Sequence, residues 1–310
     1  MPDPLIETTA RPLTAVVTHH GEGPVRDDAG TLRCVDLLAG DVLTFGDDPT
    51  SDDPTPDDRP PRLAPVDRLH VGDVAALWRP RVGGGAVVAV ERGVVLLDAE
   101  GRTEREVTVF EDDSLRMNEG ACDPWGRLWI GSMPYSEDRP DGVLYRVDAD
   151  LTVTPVLDGL TIPNGLAWSA DGSVAYHSDS PTRVVSRLVV DAAGSLVSRE
   201  PWLDLDALGI AGYPDGLTVD TAGGVWVALW GAGSVVRFAD SGSGVRATHR
   251  VSVPASQTSA VALGSGSTSL AITTSAKLLP AEGPGHEPLA GALFTAEAPY
   301  PGVPVRAFAG

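Results

Sequence analysis

Cysteine is nearly absent from this chain: Cys34 and Cys122 are the only two among 310 residues. They stand far apart, and the N-terminal stretch MPDPLIETTARPL has neither the basic region nor the apolar core of a secretion signal. Reduced core thiols are therefore expected rather than a disulfide or a zinc pair. Long apolar runs are missing too, since no uninterrupted run approaches the roughly 18 residues that span a bilayer. Positive charge is scarce: 23 Lys and Arg face 43 Asp and Glu, giving a net charge of −20. Nucleic acid and anionic membrane surfaces would repel such a chain, so neither is expected as a partner. The expectation is a soluble cytoplasmic protein, either a monomer or a small homo-oligomer.

Several chemical motifs are absent as well. The glycine run Gly83–Gly85 has no P-loop lysine and reads as a turn. Ser132, in IGSM, lacks the G-x-S-x-G surroundings of a nucleophile elbow. The acidic, proline-rich segment 46–61 (GDDPTSDDPTPDDRPP) has neither the glycine nor the terminal glutamate of an EF-hand loop, and reads as a solvated loop between strands. No long amphipathic helix stands out. A hydrophobic content of 42% is ample for a core, and it is distributed over short strand-like runs separated by Gly, Asp and Pro.

Those runs repeat. TIPNGLAWSADGSVAYHSDS, from Thr161 to Ser180, reads as two strands joined by an Asp171-Gly172 turn, with Asn164-Gly165 where the first strand begins. The same arrangement recurs at Glu22 in HGEGPVRD, Glu119 in NEGACDPWGRLWIGS and Asp215 in PDGLTVDTAGGVWVALW. Weaker copies fall at Asp73 and Ser259, so six registers follow one another at intervals of about 44–51 residues. That period, with several short strands per unit, predicts an all-β fold. It is a six-bladed β-propeller of four-stranded antiparallel blades around a central channel, one domain over residues 1–310.

The innermost strand of each blade lines the channel, so the residue entering it faces the axis. Glu22, Glu119, Asn164 and Asp215 are remote in sequence yet would converge at one channel mouth. The glycine after each lets backbone approach the crowded axis. Oxygen donors from several blades around one cavity are what a hard divalent cation requires. Any one of these residues alone is accounted for by a turn before a strand; their shared register is not.

In this order and spacing the segments HGEGPVRD, RMNEGACDPWGRLWIGSM, IPNGLAWSADG, YPDGLTVDTAGGVWVALWGAGSVVRF and GALFTAEAPYPGVPVRAFAG resemble, nearly end to end, one family. It is that of regucalcin (senescence marker protein), gluconolactonase and luciferin-regenerating enzyme: six-bladed propellers dependent on calcium or zinc. The resemblance implies that Glu22, Asn164 and Asp215 are metal ligands. It implies further that Arg116 and Asn118 hold substrate oxygens; Glu119 joins the substrate-binding set by its repeat register, although the resemblance assigns the contact to its neighbour Asn118. There are departures. Arg26 replaces the tryptophan of the usual GPVWD, Glu119 replaces the aspartate of NDG, and a family acid falls on Ser136 with Glu137 next to it. These bear on sugar preference rather than on the metal centre.

The chemistry implied is hydrolysis of a small sugar lactone with one divalent ion. Calcium comes first, with zinc, manganese and magnesium as alternatives. Three protein ligands leave open positions for water and substrate. Asp215 is the expected catalytic residue, deprotonating the water while remaining a ligand. Arg116 and Asn118 would orient the lactone. Asp179 is a weaker base candidate. His19 and His20, on opposite faces of a strand, cannot easily both be ligands. His177 and the tryptophans Trp129, Trp168, Trp226 and Trp230 read as packing residues. Two other functions stay open: an arylesterase or organophosphate hydrolase on the same site, and a non-catalytic calcium-binding regulator.

Overall fold

A computed structural model describes residues 4–46, 63–242 and 244–310. Apart from Gly46, the acidic segment 46–61 lies outside the described residues. Six sheets of strands follow one another along the chain, and each begins at its inner edge. The inner strands are Gly21–Arg26, Ala75–Pro80, Leu115–Cys122, Pro163–Trp168, Tyr213–Val219 and Thr258–Leu263. Each touches the next, and the sixth returns to the first, which closes a ring. The sixth blade takes its outermost strand from the N-terminus, where Arg11–Val16 pairs antiparallel with Ala292–Glu297. Ile6–Thr9 adds a parallel fifth strand to the fifth blade. The expected six-bladed propeller is thus the fold.

The core lies in layers between successive blades. Trp129, Leu144 and Leu160 of the third blade meet Leu166, Trp168 and Leu188 of the fourth. Leu32, Cys34 and Phe45 of the first meet Ala271 and Leu293 of the sixth. Burying each large side chain contributes about 1.5–3 kcal/mol, so stability is spread around the ring. Cys34 and Cys122 are buried and free, as their separation predicted.

Turns in the third and fifth blades share one device. Asp123 Oδ1 accepts the backbone N–H groups of Trp125 and Arg127, while Oδ2 accepts the indole N–H of Trp129. Asp220 does the same with Ala222, Gly224 and Trp226. Trp129 and Trp226 therefore fix the hairpins as well as filling the core.

Every inner strand also carries one extra residue relative to its partner. The register shifts between Glu22 and Val25, Ala75 and Leu77, Met117 and Gly120, Asn164 and Leu166, Pro214 and Leu217, and Thr258 and Ala260. A bulge of this kind bends the strand and re-aims a side chain. The sequence repeat is the trace of this bulge. Two glycines show why no larger residue fits beside it. A Cβ on Gly165 would lie 2.5 Å from the Asp215 carbonyl oxygen, and one on Gly216 would lie 2.4 Å from the Ala260 Cβ. At the far end of the channel the C-terminal segment crosses the ring: Gly302, Val303, Phe308 and Ala309 donate to Gly264, Val219, Pro80 and Gly126.

Candidate functional site

At the other end the channel opens into a cavity of about 310 Å³. Its lining comes from every blade except the second and includes Glu22, Arg116, Asn118, Asn164 and Asp215. Five of the six site residues read from the sequence are thus brought together, and Glu119 is the sixth. Asp73 is not among them. It is exposed ahead of the second inner strand, and the bulge there falls at Ala76.

Two aspartates brace the strands that carry the site. Asp36 accepts the backbone N–H groups of His19 and His20, just before Glu22. Asp179 accepts those of Thr161 and Ile162, just before Asn164. Both end the second strand of their blade and precede a short 3-10 turn, Leu37–Ala39 or Ser180–Thr182. Asp179, considered above as a base, is occupied in this structural role and does not line the cavity.

A chain of side-chain hydrogen bonds runs across the mouth. Arg116 Nη1 donates to Asn118 Oδ1 at 2.7 Å. Asn118 Nδ2 donates to Asn164 Oδ1 at 3.0 Å and to the Pro163 carbonyl. Asn164 Nδ2 donates to Ser180 Oγ, which donates onward to the Pro214 carbonyl. Each amide is thereby fixed in orientation, its oxygen accepting from the preceding side chain and its nitrogen donating to the next.

Below this chain lie three carboxylates. Glu22, Glu119 and Asp215 are buried and each offers an oxygen within 4.8 Å of the others. Glu22 Oε2, Glu119 Oε2 and Asp215 Oδ1 have no hydrogen-bond partner. Burial, and then the neighbouring carboxylates, push Glu22 and Asp215 well above the ordinary carboxylate range. Burial raises Glu119 to about 7, against the opposing pull of Arg79. Unsatisfied oxygens of one sign at this spacing are costly unless a cation meets them, and hard oxygen donors suit a divalent one. The donor set therefore fits a metal ion.

Glu119 departs from the expected placement. It does not line the mouth cavity beside Arg116; it faces a smaller cavity of about 100 Å³ beneath, together with Arg79 and the C-terminal residues 303–306. The bulge between Met117 and Gly120 turns Asn118 to the mouth and leaves Glu119 in the floor. Trp230, read as a packing residue, lines the mouth instead, with its ring edge-on to His20 at 5.9 Å. His20, weighed above only as a possible ligand paired with His19, is a lining residue of the mouth. It is buried and held by Ser275 Oγ at 2.8 Å, while burial, then Arg116 and Lys277, keep it neutral. Its neighbour His19 is exposed, and both precede the inner strand Gly21–Arg26 rather than lying on it. Ser180, Tyr213 and Lys277 also line the mouth.

The departures from the motif separate as well. Arg26 lies at the far end of its strand and donates to the Gly30 carbonyl in the following turn. Ser136 bonds Asp138 on the surface, whereas Glu137 lines the mouth. His177 is buried without a side-chain partner and held neutral, near 3, by burial and then Arg199; it does not line the cavity. No helix among the described residues is long and apolar enough to cross a membrane.

Residues 20–276 match the family model described as SMP-30/Gluconolactonase/LRE-like region. The chain is 33% identical over 253 residues to a 6-deoxy-6-sulfogluconolactonase of Pseudomonas putida, covering 81% of this chain and 86% of that protein. It is 32% identical to the pentonolactonase XacC of Haloferax volcanii over 246 residues, 79% of this chain and 77% of that one. Among solved structures, a luciferin-regenerating enzyme superposes with a TM-score of 0.79 at 26% identity, over 94% of this chain and 96% of the other. By the span of the family match and by these likenesses, the chain belongs to the SMP-30/gluconolactonase/LRE-like family.

Proposed function

We propose that this protein hydrolyses a small sugar lactone using one divalent metal ion held by Glu22, Asn164 and Asp215. One observation carries the reading: three buried carboxylates converge with unpartnered oxygens, Glu22 and Asp215 in the wall of a cavity sized for one small molecule and Glu119 in the smaller cavity next to it. The names of the two lactonase relatives supply the substrate class. When bound, the ion supplies Lewis-acid polarisation of the lactone carbonyl and a lowered pKa for water, with calcium the first choice for an all-oxygen donor set.

The chain's own residues do the rest. Arg116 and Asn118 hold the lactone, the guanidinium fork near the carbonyl oxygen where negative charge develops and Asn118 Oδ1 accepting from a ring hydroxyl, since its Nδ2 already donates to Pro163 and Asn164. Asp215, while remaining a ligand, takes the proton as the water oxygen bonds to the carbonyl carbon. The ring C–O bond then breaks and the ring oxygen takes that proton back from Asp215, leaving the open hydroxy acid and the base restored. Glu119, from the floor, adds a third negative charge on the same point. His20 is kept neutral and so adds no positive charge to the mouth.

An apolar rim of Met133, Ile162, Pro181, Tyr213, Trp230 and Leu278 favours a second reading, in which aryl or alkyl esters are cleaved at the same centre. A purely calcium-binding protein would have no need of the Arg116–Asn118 arrangement. The test is a panel of aldonolactones and aryl esters offered to chelator-treated protein with each metal restored in turn. Metal-dependent lactone opening is expected. No cleavage above the spontaneous rate under any metal, or full activity without metal, sinks the proposal.

A further inference from the structure

The chain has a single lysine: Lys277 is the only one among its 23 Lys and Arg residues. Everywhere else a cation is supplied by arginine, yet this one stands in the mouth cavity with its side chain mostly buried. It projects from the loop after Ser269–Thr274 in the sixth blade. Its base is fixed, because its backbone N–H donates to Ser275 Oγ, the atom that also holds His20. Its ammonium pairs with Glu137, from the corresponding loop of the third blade, which a ring of six places opposite. Glu137 lies 3.9 Å from Arg116 Nη2 as well, so two cations share one carboxylate. Both loops hold a non-glycine residue in the left-handed region, Glu137 at φ 59° and Leu278 at φ 64°. Such conformations persist where the surroundings over-determine them, often beside a site of function.

We propose that Lys277 selects the substrate: the site takes lactones that carry a second, acidic group (carboxylate, sulfonate or phosphate) away from the ester bond. The inference rests on the lactonase reading for the position of the ester. An ammonium is a compact charge with three rotatable donors, and Glu137 engages it on one side only, leaving donors for a compact anion. The Arg116 fork is engaged at the ester end and the Asn118 amide already donates to the Pro163 carbonyl and Asn164, so Lys277 is the cation left for a second acidic group. A chain of net charge −20 repels anions at a distance, and Glu22, Glu137 and Asp215 line the same cavity, so an anionic group is admitted only where a local cation faces it, as Lys277 does here.

Binding of product acids separates this inference from the hydrolase reading. Calcium-loaded protein is titrated calorimetrically with an aldonate and with the aldarate of the same carbon skeleton, a monoanion and a dianion. Wild type should favour the dianion by about 10- to 100-fold, the range of a charge-assisted contact, and Lys277→Met should abolish that preference. Lys277→Gln serves as a second variant, and thermal melting shows that each is folded. Equal affinity for the two acids in wild type, or a preference that survives both substitutions, overturns the proposal. Turnover of the corresponding lactones is read beside it. Hydrolysis without acid preference removes the role of Lys277 and leaves the lactonase; a Lys277-dependent preference without hydrolysis does the reverse.

Discussion

Replacing Glu119 by glutamine tests the electrostatics of the cradle in metal-free protein. Burial raises the Glu119 carboxyl from an ordinary 4.5 to about 7. A carboxyl raised in this way favours the folded state while it is protonated. Its contribution is whole below about pH 4.5 and is lost as pH climbs through about 7. The interval from 4.5 to about 7, at roughly 1.36 kcal/mol per pH unit, amounts to about 3 kcal/mol lost by pH 8. Glutamine has no proton to lose, so Glu119→Gln should be more stable than wild type at pH 8 by up to about 3 kcal/mol. The gap should close towards pH 4. Urea denaturation in chelator, followed by tryptophan fluorescence from pH 4 to 8, reads the difference. Saturating calcium should shrink or reverse it, because wild type has the extra negative charge to offer the ion. A variant no more stable than wild type at pH 8, or a gap equal at pH 5 and pH 8, refutes the reasoning.

Three further outcomes follow from the geometry. Asp215→Asn should lower calcium affinity at least about 10-fold by calorimetry and remove most lactone turnover, with the melting temperature of the metal-free protein retained or raised. Arg116→Ala should leave calcium affinity roughly unchanged, because Asn164 keeps its bond to Ser180; kcat/KM should fall about 10- to 1,000-fold. Gly165→Ala should cost about 1–3 kcal/mol of stability in chemical denaturation and weaken calcium binding, since its Cβ would press the Asp215 backbone at 2.5 Å.

Much of the site was legible because the bulge recurs. Glu22, Asn164 and Asp215 each precede the glycine that the bulge or the close neighbour requires, so their common register survives in sequence. Asp73 misled for the same reason: the second blade has only Ala76 at its bulge, and the nearest polar residue stood three places too early. Glu119 was legible as a repeat member but not in its direction, because simple alternation fails across an extra residue. Glu137, Lys277 and Trp230 were not legible as mouth residues. Glu137 and Lys277 lie in loops that keep no repeat register, and the meeting of opposite blades depends on closure of the ring.

The six bulges also explain how a nearly symmetric scaffold holds an asymmetric site. The backbone does the same thing six times, but the side chains at the bulge are Glu22, Ala76, Asn118 with Glu119, Asn164, Asp215 and Ser259. A full ring of carboxylates would gather far more charge than one dication can offset. Here the second blade contributes a methyl group. The sixth turns its hydroxyl away, with Ser259 Oγ donating to the Gly21 carbonyl. Three carboxylates and two amides remain, on the first, third, fourth and fifth blades, and the mouth cavity is lined from those same blades with the loop of the sixth. Their mutual repulsion is a local cost carried by a scaffold whose stability is distributed over layers between all six blades. That division lets the centre be poised for a cation without the fold depending on one. It is also why changes at Glu119 or Asp215 should move metal affinity and pH dependence while leaving the propeller standing.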